Sequence, residues 1–337
     1  MCLTVNICLI LENESIESFE ISAVSIDKNI RRKFSLFLVD CGLTDANKQK
    51  IEIFCSNLNS IENFVIRKPK KIEDFEKLSV ASQIGNSFYF LAIPDIFPEV
   101  EKIIYLGHNI VVDRDITDLW NTYIRDKSFG AVEEDGNFLS ASELISKKLS
   151  YGMDINRPYC NTNVLLTYTK DFKDSKILER VIDSLANTHF DHKISIDGII
   201  NSCLHKREYW ALNPRYNFQP FLSLSKICLK NRGKPIIINY SGIDPFQFNY
   251  FLIKIFHTLW ICRHFASFLL KFRKYSRAAN DIKSHSSSAL KTLKIFFKEL
   301  FKTLKVFVKN ISNRNFRHKV IGHKKANDGT YKYGQCD

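Results

Sequence analysis

The sequence predicts an α/β fold over residues 1–249, with basic amphipathic helices appended. Three observations predict it. Apolar runs of strand length alternate with segments of helical period, the pattern of strand–helix–strand units. One such run, Lys102 to Leu106, stops at Gly107, His108 and Asn109 before a second apolar run, Ile110 to Val112. A strand end of that kind is where α/β enzymes commonly place a ligand. Beyond residue 250 the composition changes from balanced to strongly basic.

Taken in order, Val5 to Leu11 is an apolar strand. The stretch that holds it, MCLTVNICLILENESIESF, lacks a basic leader and a small-residue cleavage site, and Glu12 and Glu14 follow at once. A buried first strand is therefore expected rather than a signal peptide. Ser18 to Lys28 reads as a helix and Phe34 to Val39 as a second strand, a βαβ opening. Thr44 is placed to cap the next helix, whose Ile51, Phe54 and Leu58 fall on one face. FVIRKP is a third short strand; SQIGNSFYFLAIPDIFPEV reads as a helix that ends before Pro94, and KIIYL supplies the fourth strand. Asp115 stands as turn and cap residue ahead of Ile116. CNTNVLLTYT and KPIIINYSG are strand-like, while Ser175 to Asn187 and Ile196 to Leu204 are helical. This alternation is that of nucleotide-binding α/β proteins.

The chain has 337 residues, 45% of them hydrophobic, enough for a sizeable core. Its nine cysteines include no C-x-x-C pair and are odd in number. That argues against a structural zinc site and a disulfide framework and suits a reducing compartment. The net charge of +13 belongs to the end of the chain: residues 250–337 carry 19 Lys and Arg against 4 Asp and Glu, whereas residues 1–249 carry 30 against 32. Overall charge therefore does not steer the main domain to polyanions.

Residues 250–275 form an apolar segment interrupted by Lys254, His257, Arg263 and His264, so it is expected to lie in an interface rather than cross a membrane. A polar linker, 276–289, separates it from a basic amphipathic helix at 290–311. There Lys291, Lys294, Lys298, Lys302, Lys305 and Lys309 draw one stripe, and Leu293, Phe296, Phe297, Leu300, Phe301, Leu304, Phe307 and Val308 cover the opposite side. A lysine face backed by a Phe/Leu face suits an anionic membrane surface, each Lys contributing ~1 kcal/mol. It suits the phosphate backbone of nucleic acid less well, and no nucleic-acid partner is expected. Residues 312–337 read as a flexible basic tail. The main domain has no G-x-G-x-x-G, Walker, G-x-S-x-G or H-E-x-x-H sequence.

Six phrases, in order over roughly residues 3–248, resemble one family, the family 8 retaining glycosyltransferases. FLVDCGLTDANKQKI resembles their second strand and following helix, and FYFLAIPDIFPEVEKIIYL their helix, Ile-Pro turn and Tyr-Leu strand. DITDLWNT, YCNTNVLL, NPRYNFQ and NYSGIDPF resemble their Leu-Trp segment, Asn-Ala-Gly strand, Tyr-Asn-Phe turn and Tyr-x-Gly-x-x-Lys-Pro-Trp segment. The resemblance implies a GT-A fold with a mixed central sheet, a UDP-hexose donor and a divalent ion, usually manganese, bridging the two phosphates. It also implies hexose transfer with retention, often onto a glycolipid acceptor such as lipopolysaccharide. Carboxylates are needed there because a metal must offset the charge of a diphosphate leaving group.

Carried across residue by residue, the resemblance puts Gly107, His108 and Asn109 where the family has a metal-binding Asp-x-Asp, and Asn239 where it has a metal-binding His. The phosphate-binding Lys falls at Asp244 or in a one-residue deletion, its partner Trp at Phe246, and a donor-contacting Arg at Phe90. An Asp-Gln-Asp triplet falls at Ile196, Asp197 and Gly198 with Asn201 as anchor, so Asp197 is the candidate catalytic residue, in the Gln position or in an Asp position if the register slips. Glu12 and Asn13 stand at uridine-binding positions, Asn161 matches the family's Asn, Asn163 replaces the Gly that admits the sugar, and Gly242 is retained.

Phrases that fix a scaffold are thus kept, and positions that would touch metal, phosphate or sugar are mostly changed. No manganese or magnesium site is assigned, although His108, with Asp113, Asp115 and Asp197, leaves a different ion open. Two readings stand. One is a glycosyltransferase-like protein of surface-glycan assembly with a degenerate donor site, inactive or dependent on a partner. The other is an active hexosyltransferase working without the usual metal site, with Asp197 and Asn161 on the sugar. Either is expected in the cytoplasm, peripheral on the inner membrane face.

Overall fold

The computed structural model describes residues 4–70, 72–78, 81–134, 141–188, 194–205, 208–219, 233–240 and 263–282. Its strands are β1 (Val5–Leu11), β2 (Phe34–Asp40), β3 (Ile61–Arg67), β4 (Lys102–Leu106), β5 (Ile110–Val112), β6 (Phe129–Glu133), β7 (Cys160–Tyr168), β8 (Tyr209–Ala211) and β9 (Ile237–Asn239). Seven of them make one mixed sheet in the order β3-β2-β1-β4-β7-β6-β8, and β5 pairs with β9 as a separate antiparallel ribbon. Within the large sheet every neighbouring pair is parallel except those of β7, which runs against both β4 and β6.

Strands covered on both faces must be apolar on both, and β2 and β4 are. Along β1 the period of two sends Val5, Ile7, Leu9 and Leu11 into one buried cluster and Cys8 and Ile10 into the other. Helices α1 (Ile16–Asn29) and α2 (Asp45–Ser56) cover the first face. Thr44 caps α2 by accepting from the Asn47 backbone at 3.3 Å, and Ile51, Phe54 and Leu58 are buried, as their spacing predicts.

Two expectations need correction. The chain does not leave its helix before Pro94: a 3-10 segment, Gly85–Ala92, leads into a short helix, Ile93–Ile96, with Pro94 in its first turn. Backbone N–H groups have no intrahelical partner there, so proline costs nothing. The polar linker expected from residue 276 also begins as helix, because Arg263–Ile282 is one continuous helix across that boundary. It packs on α1 rather than lying on its own: Phe272, Tyr275, Ala278 and Ala279 are buried, and Asn29 Nδ2 donates to Tyr275 Oη at 2.7 Å. Lys271 pairs with Asp113, which holds the helix to the end of β5. Among the described residues no helix is long and apolar enough to cross a membrane. The segments 250–262 and 283–289, the helix expected at 290–311 and the tail at 312–337 lie outside the described residues.

Candidate functional site

Parallel strands deliver their carboxyl ends to one edge of the sheet, and ligands in open α/β sheets bind outside that edge. Here β1 ends in Glu12, β4 in Gly107 and β6 in Glu133 and Glu134. The reversed β7 brings its beginning to the same edge, pairing Leu106 with Val164 and Glu133 with Cys160. Asn161, Thr162 and Asn163 therefore stand among the ends of β4 and β6.

Gly107, His108 and Asn109 form a tight connection between β4 and β5. Asn109 takes a left-handed φ of 57°, a conformation asparagine tolerates better than most residues. Its N–H donates to Ser18 Oγ at 2.9 Å and its carbonyl accepts from Tyr240 at 2.9 Å, so the residue is committed to the turn. Gly107 donates to the Asn163 carbonyl at 2.8 Å, and a Cβ built on it would lie 2.6 Å from Asn163 Oδ1. Asn163 thus fills the space that a side chain at 107 requires. His108 is mostly buried; desolvation pushes its imidazole below the usual pKa of 6.5 against a weaker pull from Glu12, which leaves it neutral at pH 7.

The centre of the site is a buried chain of side-chain amides. Asn239 Nδ2 donates to Asn217 Oδ1, Asn217 Nδ2 to Asn161 Oδ1, and Asn161 Nδ2 to Glu134 Oε1, each at 2.8 Å. Asn161 Oδ1 also accepts from the Asn163 backbone at 3.0 Å, and Lys147 Nζ lies 3.5 Å from Glu134 Oε2. Every polar link is satisfied, which buried polar groups require. Burial pushes the Glu134 carboxyl above its ordinary value; Lys147 opposes the shift and the negative charge of Asp197 adds to it.

Asp197 sits in the first turn of the helix Ile196–Cys203, whose cap is Ser195. Asn201 ties that helix to β7, accepting from Cys160 N and donating to Cys160 O, both at 2.8 Å. Asp197 Oδ1 accordingly accepts from Thr162 N at 3.0 Å and from the Thr162 hydroxyl, one residue from Asn161. Gly198 faces Tyr151, whose ring would lie 2.1 Å from an added Cβ.

The structure therefore brings together Asp197, Asn161, Asn163, Gly107 and Asn239, with Glu12 and His108 beside them. Asn13 is drawn off instead: its Oδ1 accepts from Thr44 N at 3.0 Å and from Asn47 Nδ2 at 2.9 Å, fastening the start of α2. Asp113 and Asp115 also serve elsewhere, the first paired with Lys271 and the second accepting from the Thr117 backbone N–H at 3.1 Å, one residue ahead of the helix's N-cap Ile116. Phe90 is buried and stacked on Tyr105, with ring centroids 5.1 Å apart. Gly242, Asp244 and Phe246 lie outside the described residues. Sequence reasoning missed Glu134 and Lys147 and read Asn217 only as scaffold. The signal for Glu134 was the acidic run Glu133-Glu134-Asp135 directly after an apolar strand.

The sequence pattern of the family described as glycosyl transferase family 8 matches residues 6–245. The chain belongs to that family. Among its relatives, General stress protein A of Bacillus subtilis is 22% identical over 227 residues, covering 63% of this chain and 75% of its own. A putative glycosyltransferase of Haemophilus influenzae is 23% identical over 251 residues, covering 72% of this chain and 73% of its own. Among solved structures, the galactosyltransferase LgtC in complex with donor and acceptor sugar analogues is 18% identical with a TM-score of 0.59, over 81% of this chain and 96% of LgtC. The mixed seven-stranded architecture is thus the GT-A fold of family 8, as the resemblance implied.

The divalent ion that the fold family implies does not fit the residues at its expected place. They are a glycine, a histidine and two neutral amides, with no carboxylate among them. Hard divalent cations are held chiefly by carboxylate oxygens. Among the described residues no group of three His, Cys, Asp or Glu side chains is arranged to hold a metal ion.

Two outcomes follow from this geometry. Gly107→Ala should cost about 1 kcal/mol, because Asn163 must swing aside, and Asn163→Gly should relieve that cost in the double variant. Urea denaturation of the four proteins measures the coupling; strictly additive effects would refute the contact. A glutamate whose folded-state pKa is raised stabilises the fold below its ordinary value of 4.5 and loses that contribution as pH rises through the folded pKa. Glu134→Gln should therefore gain stability relative to the parent as pH is raised from about 4 to about 7, and a relative loss over that window would contradict the assignment.

Proposed function

We propose that this chain is a family 8 glycosyltransferase-like protein of lipopolysaccharide or related surface-glycan assembly whose manganese–UDP-sugar site is degenerate, leaving it inactive or reliant on a partner. The observation that carries the reading is the packing at Gly107. The position where the resemblance expects a metal carboxylate has no side chain, and Asn163 takes up its space. A carboxylate restored there by Gly107→Asp must displace the Asn163 side chain, a contact that Asn163→Gly removes. A second reading, an active retaining hexosyltransferase with a metal-independent site, is favoured by Glu134, Asp197 and Asn161, which still form a polar cluster able to address sugar hydroxyls. The complex of LgtC with donor and acceptor sugar analogues supports a nucleotide sugar and a glycan acceptor as the ligand classes for either.

A ligand present well above its dissociation constant must raise the melting temperature of the protein that binds it. The first reading expects no rise from UDP-hexose with manganese, and a rise of several degrees would refute it. A rise with UDP-hexose alone, together with UDP release onto an acceptor, would establish the second reading. The lysine stripe at 291–309 supports attachment to an anionic inner-membrane surface. Sedimentation with phosphatidylserine or phosphatidylglycerol vesicles should fall on deleting residues 290–337, whereas an unchanged yield would rule that attachment out.

A further inference from the structure

A pocket of about 830 Å³ opens beside β8, the edge strand of the large sheet, outside the amide chain described above. Its volume lies in the range of small-molecule sites, roughly 300–1,000 Å³, rather than that of a flat protein-docking face. Trp210, Tyr209, Glu133, Asp154, Asn156 and Arg157 line it. Trp210 is 46% exposed, an unusual expense for an indole that gains by contact.

The walls are held in place by bonds of their own. Glu133 accepts from Tyr209 Oη at 2.9 Å, and Asp154 Oδ1 accepts from the Asn156 backbone at 2.9 Å. Arg157 donates to the Leu204 carbonyl. Beneath the loop Lys148, only 7% exposed, donates to the Ile155 carbonyl at 2.8 Å. A preformed cavity of this kind binds without first ordering its own walls.

Its charges decide the ligand class. Among the described lining residues Lys127 and Arg157 are matched by Glu133 and Asp154, with His205 the one further basic side chain, so the lining offers little excess of positive charge for a phosphate, a nucleic acid or an anionic headgroup. It offers instead an exposed aromatic face with amide, carboxylate and guanidinium groups around it. We propose that this pocket is a binding subsite for a neutral oligosaccharide, with Trp210 stacked on the C–H face of one pyranose and Asn156, Asp154 and Arg157 reading its hydroxyls. The proposal rests on the reading that the chain works on glycans. Glu133 and Glu134 are consecutive, one turned to Tyr209 and the other to Asn161, so a glycan seated here lies beside the candidate site without entering it.

The test uses the full chain with lactose, maltotriose and N-acetylchitotriose at up to about 10 mM, followed by saturation-transfer NMR and calorimetry. At least one should bind saturably. Trp210→Ala should weaken that binding about tenfold or more, and Trp210→Phe should keep most of it. Ala211→Leu, which narrows the pocket while leaving the indole in place, should weaken binding too, and it guards against a Trp210 variant that fails to fold. Absence of binding by all three sugars, binding indifferent to both the Trp210 and Ala211 changes, or tighter binding of a sulfated oligosaccharide would each overturn the proposal. Melting shifts with UDP-hexose, read on the same samples, report on the donor site alone, so the two readings fail separately.

Discussion

Because β7 runs against both β4 and β6, the beginning of its ladder must meet the ends of theirs. Everything at the candidate site depends on that reversal. Were β7 parallel, Asn161 and Asn163 would lie at the opposite edge of the sheet, more than ~15 Å away at the rise of a strand. Reversed, they reach Gly107 on one side and Glu134 on the other. The short β5–β9 ribbon then brings Asn239 within reach of Asn217, closing the chain of amides. The helix Ile196–Cys203 follows the same edge because Asn201 holds it to Cys160.

Gly107 and Gly198 repeat one physical theme. At both positions the family resemblance expects an acidic side chain, at both this sequence has glycine, and at both a neighbour fills the vacated volume: Asn163 in the first case, the Tyr151 ring in the second. Interiors are close-packed, so a lost side chain that is not replaced leaves a cavity with its own cost. A side chain placed at either position meets an occupied space and must displace that neighbour.

The fold was legible in the sequence because its signals are local or periodic. The apolar runs at Val5–Leu11 and Phe34–Asp40, the Thr44 cap and the Ile51, Phe54, Leu58 face all declare themselves within a few residues. The site was legible only in part. Asn161, Asn163, Asn239 and Asp197 were singled out by their places in family phrases, but the residues they bond to were not. Glu134 and Lys147 are 13 residues apart, and Asn217 joins two strands distant in sequence, so only the folded chain makes them one group. Asn13 shows the opposite case: a residue next to a strand end looked available, and the start of α2 engages its oxygen. Pro94 misled because a proline both ends helices and begins them, and the sequence alone does not say which side of it the helix lies.

Electrostatics at the site follows from the same exchange of residues. Where a diphosphate would need cations, this edge holds Glu12, Glu134 and Asp197, and Lys147 is engaged with Glu134. Two unit charges 4 Å apart interact by about 4 kcal/mol at an effective dielectric constant of roughly 20, so carboxylates at this edge oppose a polyanion wherever no cation offsets them. Burial and Asp197 together raise the Glu134 carboxyl, which lets it keep its proton to a higher pH than a surface glutamate does. The Glu134 carboxyl and the neutral amides linked to it present both acceptors and donors along this edge.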